Sequence, residues 1–164
     1  LNIDNKLYSL NDLKGENGTL IIFSSNKCPF VVMWEDRYQI LENICNENKI
    51  GMIYINSNHI RRDSDDSFNM MQKHASNMNY NAPYLLDENS LLANKFGAKT
   101  TPHVFLFNSK NKLIYLGAID DNYNSLEEVT EHYVKDAIYE LVNKKTITIT
   151  QTKAIGCSIK RKIN

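Results

Sequence analysis

Short apolar runs alternate with longer amphipathic stretches along most of this chain. Apolar runs bounded by turn residues predict buried strands at 18–25 and 50–57. Between these runs, apolar residues recur every three or four positions and share one predicted helix face: Phe30, Trp34, Tyr38, Leu41 and Cys45. This region therefore predicts a strand–helix–strand unit.

Three further helices are predicted from the pattern of the remaining chain. The first covers residues 65–79, with acidic residues near its start where the helix dipole favours them. The second covers residues 88–98, with Gly97 as the expected C-cap. The third is a long helix over residues 125–145, with Ser125 as its expected N-cap.

The other stretches predict strands, turns and loops. Residues 6–15 have the pattern of a short strand and turn, and residues 82–87 that of a short extended segment. The polar stretch 59–67 predicts a loop. Two apolar runs around a polar turn predict a β-hairpin at 103–118, and residues 146–152 alternate with period two.

Together these elements predict an α/β fold with a central mixed β-sheet flanked by helices. The sequence contains no internal repeat, linker or candidate domain boundary, so we expect a single domain over residues 1–164. From about residue 144 the chain continues as a basic C-terminal tail.

Charge and composition argue against several classes of partner. Nineteen basic residues balance nineteen acidic ones, so we expect neither nucleic acid nor an anionic membrane surface as a partner. No apolar stretch approaches the roughly 20 residues that span a bilayer, and the N-terminal segment is too polar for a signal peptide. We expect a cytoplasmic protein, while an exported form stays open because the chain begins at Leu1.

Histidine and cysteine spacing argues against a metal site. The four histidines are scattered and share no metal-ligand spacing with one another or with the three cysteines. A small, odd number of cysteines also argues against a secreted disulfide scaffold. We therefore expect no metal site, and the thiol chemistry considered below implies no bound cofactor.

Cys28 stands where the first predicted strand gives way to the first predicted helix, and Pro29 follows it. Proline suits the first helical turn because its φ is helical and its missing N–H would have no helical partner. Unpaired N–H groups at a helix N-terminus stabilise a thiolate, and Lys27 adds a neighbouring cation. Cys28 is therefore the candidate nucleophile, and the alternative is an inert buried cysteine.

A second motif extends this hypothesis to a known family. Thr101-Pro102, directly before the predicted hairpin, resembles the cis-proline loop of the thioredoxin superfamily. The chain as a whole resembles the redoxin, or AhpC/TSA-like, branch of that superfamily, often called peroxiredoxin-like proteins or probable thiol-disulfide isomerases. The matching stretches are, in order, NKCPFV, INSN, APYLLDENSLLANKFGA, TPHVFLF, LIYLGAIDDN and AIGCSIK.

The resemblance implies a thioredoxin-like fold in which the cis-proline loop faces Cys28. It also implies that the residue before the proline offers backbone groups to an extended substrate. Pro29, Thr101 and Pro102 are accordingly the expected substrate-binding residues. A disulfide-containing protein, or a small-molecule thiol or peroxide, is the expected substrate, with an external thiol as reductant.

The sequence departs from its redox relatives at positions that carry their chemistry. Val31 stands where a thioredoxin has its second cysteine, so no local disulfide can form. In the peroxidase motif, Ser25 fits the hydroxyl position, but Ile21 replaces the proline, and no peroxide-binding arginine can be assigned. These departures argue against efficient peroxidase action.

Two other cysteines are candidates to resolve a mixed disulfide on Cys28. Cys45 lies 17 residues along the same predicted helix, about 25 Å away at 1.5 Å per residue. A disulfide needs Cα atoms within about 7 Å, so Cys45 is interpreted as core. Cys157 lies in the tail, among basic residues expected to favour its thiolate: Lys153, Lys160, Arg161 and Lys162. It is the candidate resolving thiol, with a structural cysteine as the alternative.

Other conspicuous residues are interpreted as structural. Trp34 has the spacing of a core residue. Asp120 and Asp121 are expected to cap or turn the chain after the hairpin. His103 follows Pro102, but its side chain is expected to point into or across the sheet.

Three functions stay open at this point. The first is a thiol-disulfide oxidoreductase that uses Cys28 to reduce or exchange disulfides or oxidised thiols. The second is a weak thiol peroxidase that uses the same cysteine. The third is a redoxin scaffold that binds a partner without turnover.

Overall fold

Seven strands and five helices form the fold of residues 1–162, which the computed structural model describes. The strands are β1 (Gly18–Ser24), β2 (Ile50–Asn56), β3 (Tyr84–Leu86), β4 (Thr100–Thr101), β5 (His103–Asn108), β6 (Leu113–Gly117) and β7 (Cys157–Ser158). The helices are α1 (Leu10–Leu13), α2 (Pro29–Glu47), α3 (Phe68–Asn77), α4 (Leu91–Phe96) and α5 (Tyr133–Val142). The last two residues of the predicted basic tail, Ile163 and Asn164, lie outside the described residues.

The central sheet is mixed and has the order β3–β2–β1–β5–β6. β2 is parallel to β1 and to β3, whereas β5 is antiparallel to β1 and to β6. The C-terminal ends of β1 and β2 therefore lie at the same end of the sheet as the first residue of β5. The expectation of an α/β fold with a central mixed sheet is confirmed.

Apolar side chains on both faces of β1 explain why it lies at the centre of the sheet. Leu20 and Ile22 point to a core shared with α2, α3 and α5, whereas Ile21 and Phe23 belong to a second core shared with α4. Side chains alternate between the two faces of a strand, so a run of apolar residues is buried only when both faces are covered. Every residue of β1 is buried.

Helix α2 packs as its apolar period predicts. Trp34, Tyr38, Leu41 and Cys45 are all buried, and Phe30 is half-buried against the same core. Trp34 is a core residue, as expected. The prediction of this helix is confirmed, as are those of β1, β2, α3, α4 with Gly97 as its C-cap, and the β5–β6 hairpin.

Two predicted elements differ in the structure. Residues 10–13 form a short helix rather than a strand, because Ser9 and Asp12 make a reciprocal cap at its start. The predicted long helix begins only at Tyr133, so Ser125 is not its cap.

Side-chain hydrogen bonds explain the late start of α5. The Asn122 side chain accepts hydrogen bonds from the backbone N–H groups of Asn124 and Ser125. Asp121 accepts from the backbone N–H of Thr130. Such local bonds give the backbone an alternative to helix.

The segment after α5 returns along the edge of the sheet. Residues 146–152 make only one isolated parallel bridge, from Gln151 to Leu116 of β6. The chain then reaches β4, where β7 pairs with it antiparallel. The tail therefore crosses to the end of the sheet at which Cys28 lies.

Candidate redox site

Cys28 occupies the N-cap position of α2, with Pro29 in the first turn. Its side chain is buried, 3% exposed. The Cys28 Sγ–H donates a hydrogen bond of 2.9 Å to the carbonyl oxygen of Thr101. Because a carbonyl oxygen only accepts, this contact belongs to the protonated thiol and must break when the thiolate forms.

The Thr101–Pro102 loop reaches Cys28 because β5 is antiparallel to β1. His103, the first residue of β5, pairs with Phe23 near the end of β1. The two residues before His103 therefore lie at the edge where Cys28 begins the next helix. The Thr101–Pro102 peptide bond is cis.

β7 brings Cys157 to the same place. In the two-residue ladder between β4 and β7, Cys157 pairs with Thr101 and Ser158 pairs with Thr100. Cys28 and Cys157 line one small cavity. The three cysteines of the chain are free thiols.

Gly156 is required for this close approach. A Cβ atom at position 156 would lie 2.3 Å from the carbonyl oxygen of Thr101 and 3.2 Å from the nitrogen of Pro102. A contact shorter than 3 Å to backbone forces the chain to move. Only glycine therefore lets the tail lie against the Thr101–Pro102 loop at this position.

The surroundings of Cys157 raise the pKa of its thiol. Burial is the largest cause, and the neighbouring Cys28 acts in the same direction. Lys160 opposes them but does not reverse the shift. The expected influence of a basic neighbour is present for Lys160, but burial and Cys28 outweigh it, so the net pKa of Cys157 is raised.

The other basic residues of the tail do not change this result. Arg161 donates to the Asn94 side chain on α4, and Lys153 borders a different depression beside β6. Basic residues near Cys157 in sequence therefore spread over several surfaces of the fold.

Cys45 lies elsewhere on α2 and is buried, 1% exposed. Burial, together with the carboxylate of Glu42, raises the pKa of the Cys45 thiol to about 12. These surroundings agree with the interpretation of Cys45 as core.

The cavity at Cys28 is small and has a basic lining. Its volume is about 120 Å³. Pro29 and Thr101 line it, but Pro102 does not. The charged side chains that line it are Lys27, Arg61 and Lys160.

Beneath the site lies a fully buried carboxylate, Asp66. It accepts hydrogen bonds from the backbone N–H of Asn26, at 2.9 Å, and from the side chain of Asn56, at 2.7 Å. The Ser25 hydroxyl and the Asn58 side chain also donate to it. Asp66 thus joins the loop after β1, which carries Cys28, to the loop after β2.

Sequence reasoning missed this role of Asp66 because the position predicted only a helix start. The helix cap is Ser67, whose hydroxyl accepts from the backbone N–H of Met70. The one available signal was that polar residues follow both β1 and β2. Because these strands are parallel, their C-terminal ends lie at the same end of the sheet.

Two arginines in the predicted loop 59–67 were also missed. Arg62 is half-buried and donates to the Asn56 side chain and to the Asp66 carbonyl oxygen, each at 2.8 Å. Arg61 lines the cavity and forms an ion pair of 3.2 Å with Asp65. This stretch therefore forms one wall of the site, with a short 3₁₀ turn at His59–Arg61.

Asp120 is placed away from Cys28, in a structural role. It accepts hydrogen bonds from Trp34 Nε1, at 2.7 Å, and from Arg37 Nε, at 3.1 Å. It also accepts from the backbone N–H of Asn122. These contacts fix the loop after β6 to α2, so the interpretation of Asp120 as a turn residue agrees with the structure.

His103 lies on the opposite side of the sheet from the cavity, beside Phe105. Its Nδ1 accepts a hydrogen bond from the backbone N–H of Lys99. Burial is the main cause that lowers the pKa of His103, to about 4. The side chain therefore lies across the sheet, as expected.

Within residues 1–162, no group of three or more His, Cys, Asp or Glu side chains is arranged to hold a metal ion. Nor does this part of the chain contain a helix of the length and apolarity that crossing a membrane requires.

The fold of this chain is similar to that of solved thioredoxin-like proteins. A peroxidoxin from Mycobacterium tuberculosis superposes with a TM-score of 0.63 at 14% identity, over 87% of this chain and 89% of that one. Within that class, the chain belongs to the Redoxin family, whose model matches residues 1–133. This membership supports a redox function.

Two more similar structures include the tail. An uncharacterised conserved protein from Geobacillus kaustophilus is 32% identical, with a TM-score of 0.92, over 99% of this chain and 86% of that chain. A hypothetical protein from Sinorhizobium meliloti is 27% identical, with a TM-score of 0.90, over 99% and 89% of the two chains. Among curated proteins, none matches this sequence.

Proposed function

We propose that this protein is a thiol-disulfide oxidoreductase in which Cys28 is the nucleophile and Cys157 the resolving thiol. The observation that carries the proposal is the pairing of Cys157 with Thr101, whose carbonyl oxygen is hydrogen-bonded to Cys28. Two thiols that are far apart in sequence thereby share one cavity. Family membership supports the redox chemistry.

The reaction begins when the Cys28 thiolate attacks one sulfur of a disulfide R–S–S–R. A Cys28–S–R bond forms, the original S–S bond breaks, and R–S⁻ leaves and takes a proton from water. The start of a helix such as α2 favours a negative charge on a sulfur placed there. Pro29 and Thr101 are the residues that contact the incoming sulfur, and Pro102 positions Thr101.

Cys157 then completes the reduction. It loses its proton to solvent and attacks the Cys28 sulfur, which forms a Cys28–Cys157 disulfide and releases the second R–S⁻. The substrate has then gained two electrons and the protein has lost two. An external thiol reductant returns Cys28 and Cys157 to the free thiols.

Peptide mapping tests this mechanism. Oxidation of the reduced protein with one equivalent of diamide should link Cys28 to Cys157 and leave Cys45 free. Cys157→Ser should give only intermolecular or mixed disulfides at Cys28, whereas Cys45→Ser should give the same map as the unaltered protein. If the unaltered protein forms only intermolecular Cys28 disulfides and Cys157 stays free, Cys157 is structural.

A peroxidase is the second candidate, because the hydroxyl of Ser25 and the guanidinium of Arg61 also line the cavity. In that reaction the thiolate attacks the O–O bond of hydrogen peroxide, and Cys28 becomes a sulfenic acid while hydroxide leaves. Trapping of sulfenate in the Cys157→Ser protein, timed against its reaction with a disulfide, separates the two candidates. Faster sulfenate formation favours the peroxidase.

A further inference from the structure

The strand edge beside Cys28 is already occupied by the protein's own tail. β7 pairs with Thr100 and Thr101, and the carbonyl oxygen of Thr101 lies against Cys28. An incoming chain that adds a strand needs an unpaired edge. The tail therefore stands where a polypeptide substrate would bind.

Several contacts hold the tail in this place. The side chain of Ile159 is buried in the core with Phe23 and Phe105, and its N–H donates to the Lys99 carbonyl oxygen. The backbone N–H of Lys160 donates to the Asn58 side chain at 2.9 Å. A competing polypeptide would have to break these bonds and expose Ile159 to water, which is unfavourable.

The remaining access to Cys28 suits a small, negatively charged molecule. The cavity of about 120 Å³ has room for roughly four waters. It is lined by Lys27, Arg61 and Lys160 and by no carboxylate. Asp65 pairs with Arg61 and offsets its charge, and the buried Asp66 lies beside Arg62. Lys27 and Lys160 therefore carry the net positive charge of the opening.

We propose that the substrates of this site are low-molecular-weight disulfides that carry a negative charge near the sulfur, and that the C-terminal strand excludes polypeptide disulfides. This inference rests on the proposed function, because it names the substrate class of Cys28 chemistry. The bonds that form and break are those given above, with R a small group that bears a carboxylate.

A series of disulfides of similar size tests the charge preference. The probes are 3,3′-dithiodipropionate, which is anionic, bis(2-hydroxyethyl) disulfide, which is neutral, and cystamine, which is cationic. Each second-order rate constant with the reduced protein is divided by the rate constant of the same disulfide with free 2-mercaptoethanol. At low salt we expect the anionic probe to exceed the neutral one by roughly tenfold and the cationic probe to fall below it.

Substitutions of the three basic lining residues test whether the cavity causes the preference for anionic disulfides. Lys27→Gln, Arg61→Gln and Lys160→Gln should each lower the ratio of anionic to neutral rates, by about twofold to threefold. Lys112→Gln, in the exposed hairpin turn away from the site, should leave the ratio unchanged. Salt at 0.5 M should bring the ratio close to one, because the charges are solvent-screened.

The outcomes distinguish this inference from the proposed function. If no disulfide reacts with Cys28, the proposed function fails. If Cys28 reacts but the three normalised rates are equal, or Lys112→Gln lowers the ratio as much as the cavity variants, the charge inference is overturned.

A polypeptide probe tests the exclusion. Two extended eight-residue peptides joined by one cystine should react with the intact protein at least about tenfold more slowly than the neutral small disulfide, after the same normalisation. An equal or faster rate would mean that the tail does not exclude polypeptides.

Discussion

Cys28 and Cys45 are two buried cysteines at opposite ends of the same helical segment, and they have opposite surroundings. Each borders a depression in the surface, of about 120 Å³ at Cys28 and about 510 Å³ at Cys45. The charged side chains at the first are all basic, and those at the second are all acidic. The exposed fraction and the cavity volume therefore do not identify the reactive thiol. Desolvation, with the carboxylate of Glu42 as a second cause, raises the pKa of Cys45, whereas the charged side chains around Cys28 are basic.

The largest expected difference is in reactivity. A thiol with a pKa of about 12 has on the order of one thiolate in 10⁵ molecules at pH 7. We therefore expect iodoacetamide to modify Cys28 at least about a thousandfold faster than Cys45 in the native protein. Mass spectrometry of timed samples measures both rates, and Cys28→Ser should remove the fast phase. Modification of Cys45 before Cys28 would mean that the site is wrongly assigned.

The second prediction concerns the carboxylate beneath Cys28. Asp66→Ala removes the acceptor of several buried donors, and we expect a loss of about 3 kcal/mol in the free energy of unfolding. The control is Asp65→Ala, which breaks only a half-exposed ion pair. It should lower the free energy of unfolding by less than about 1 kcal/mol. Urea denaturation compares the two. Equal effects would show that Asp66 does not hold the two loops together.

The third prediction concerns His103, which lies at the same end of the sheet as Cys28 but on the opposite face. The folded-state pKa of His103 is about 4, and that of an unfolded histidine is about 6.5. As the pH falls, the unfolded chain binds this proton first, so stability present above pH 6.5 is lost between about 6.5 and 4. In the His103→Gln protein, we expect the free energy of unfolding to fall by about 2 kcal/mol less over this pH range, after allowance for solvent screening.

Urea denaturation at several pH values measures this effect, and His132→Gln at the start of α5 is the control. Because His103 lies across the sheet from the cavity, His103→Gln should leave the alkylation rate of Cys28 unchanged. A change in that rate of more than about threefold would show that the two faces are coupled.

The smallest expected effect is that of Cys45→Ala. The change removes one buried sulfur, so we expect a loss of about 1 kcal/mol in the free energy of unfolding. The alkylation rate of Cys28 should remain within about twofold of its original value, because distant sites are independent. A larger change in the rate would contradict the separation of the two ends of α2.

Local patterns determined most of the secondary structure of this protein. The period of Trp34, Tyr38 and Leu41 predicted α2, and apolar runs predicted β1 and β2, because burial on one face or both leaves a direct trace in sequence. Cys28 before Pro29 marked a helix start because the φ of proline is helical and its missing N–H would have no helical partner. The late start of α5 was not predictable in this way, since it depends on side-chain caps from Asn122 and Asp121.

The tertiary structure decided which distant residues meet Cys28. The mixed sheet puts the ends of β1 and β2 and the start of β5 at one edge, which brings Asp66, Arg61 and Thr101 together. The β4–β7 ladder sets Cys157 opposite Thr101, and burial there raises the pKa of Cys157 against the influence of Lys160. Strand register and desolvation arise from contacts between distant parts of the chain, so neither is recorded in the residues adjacent to the site.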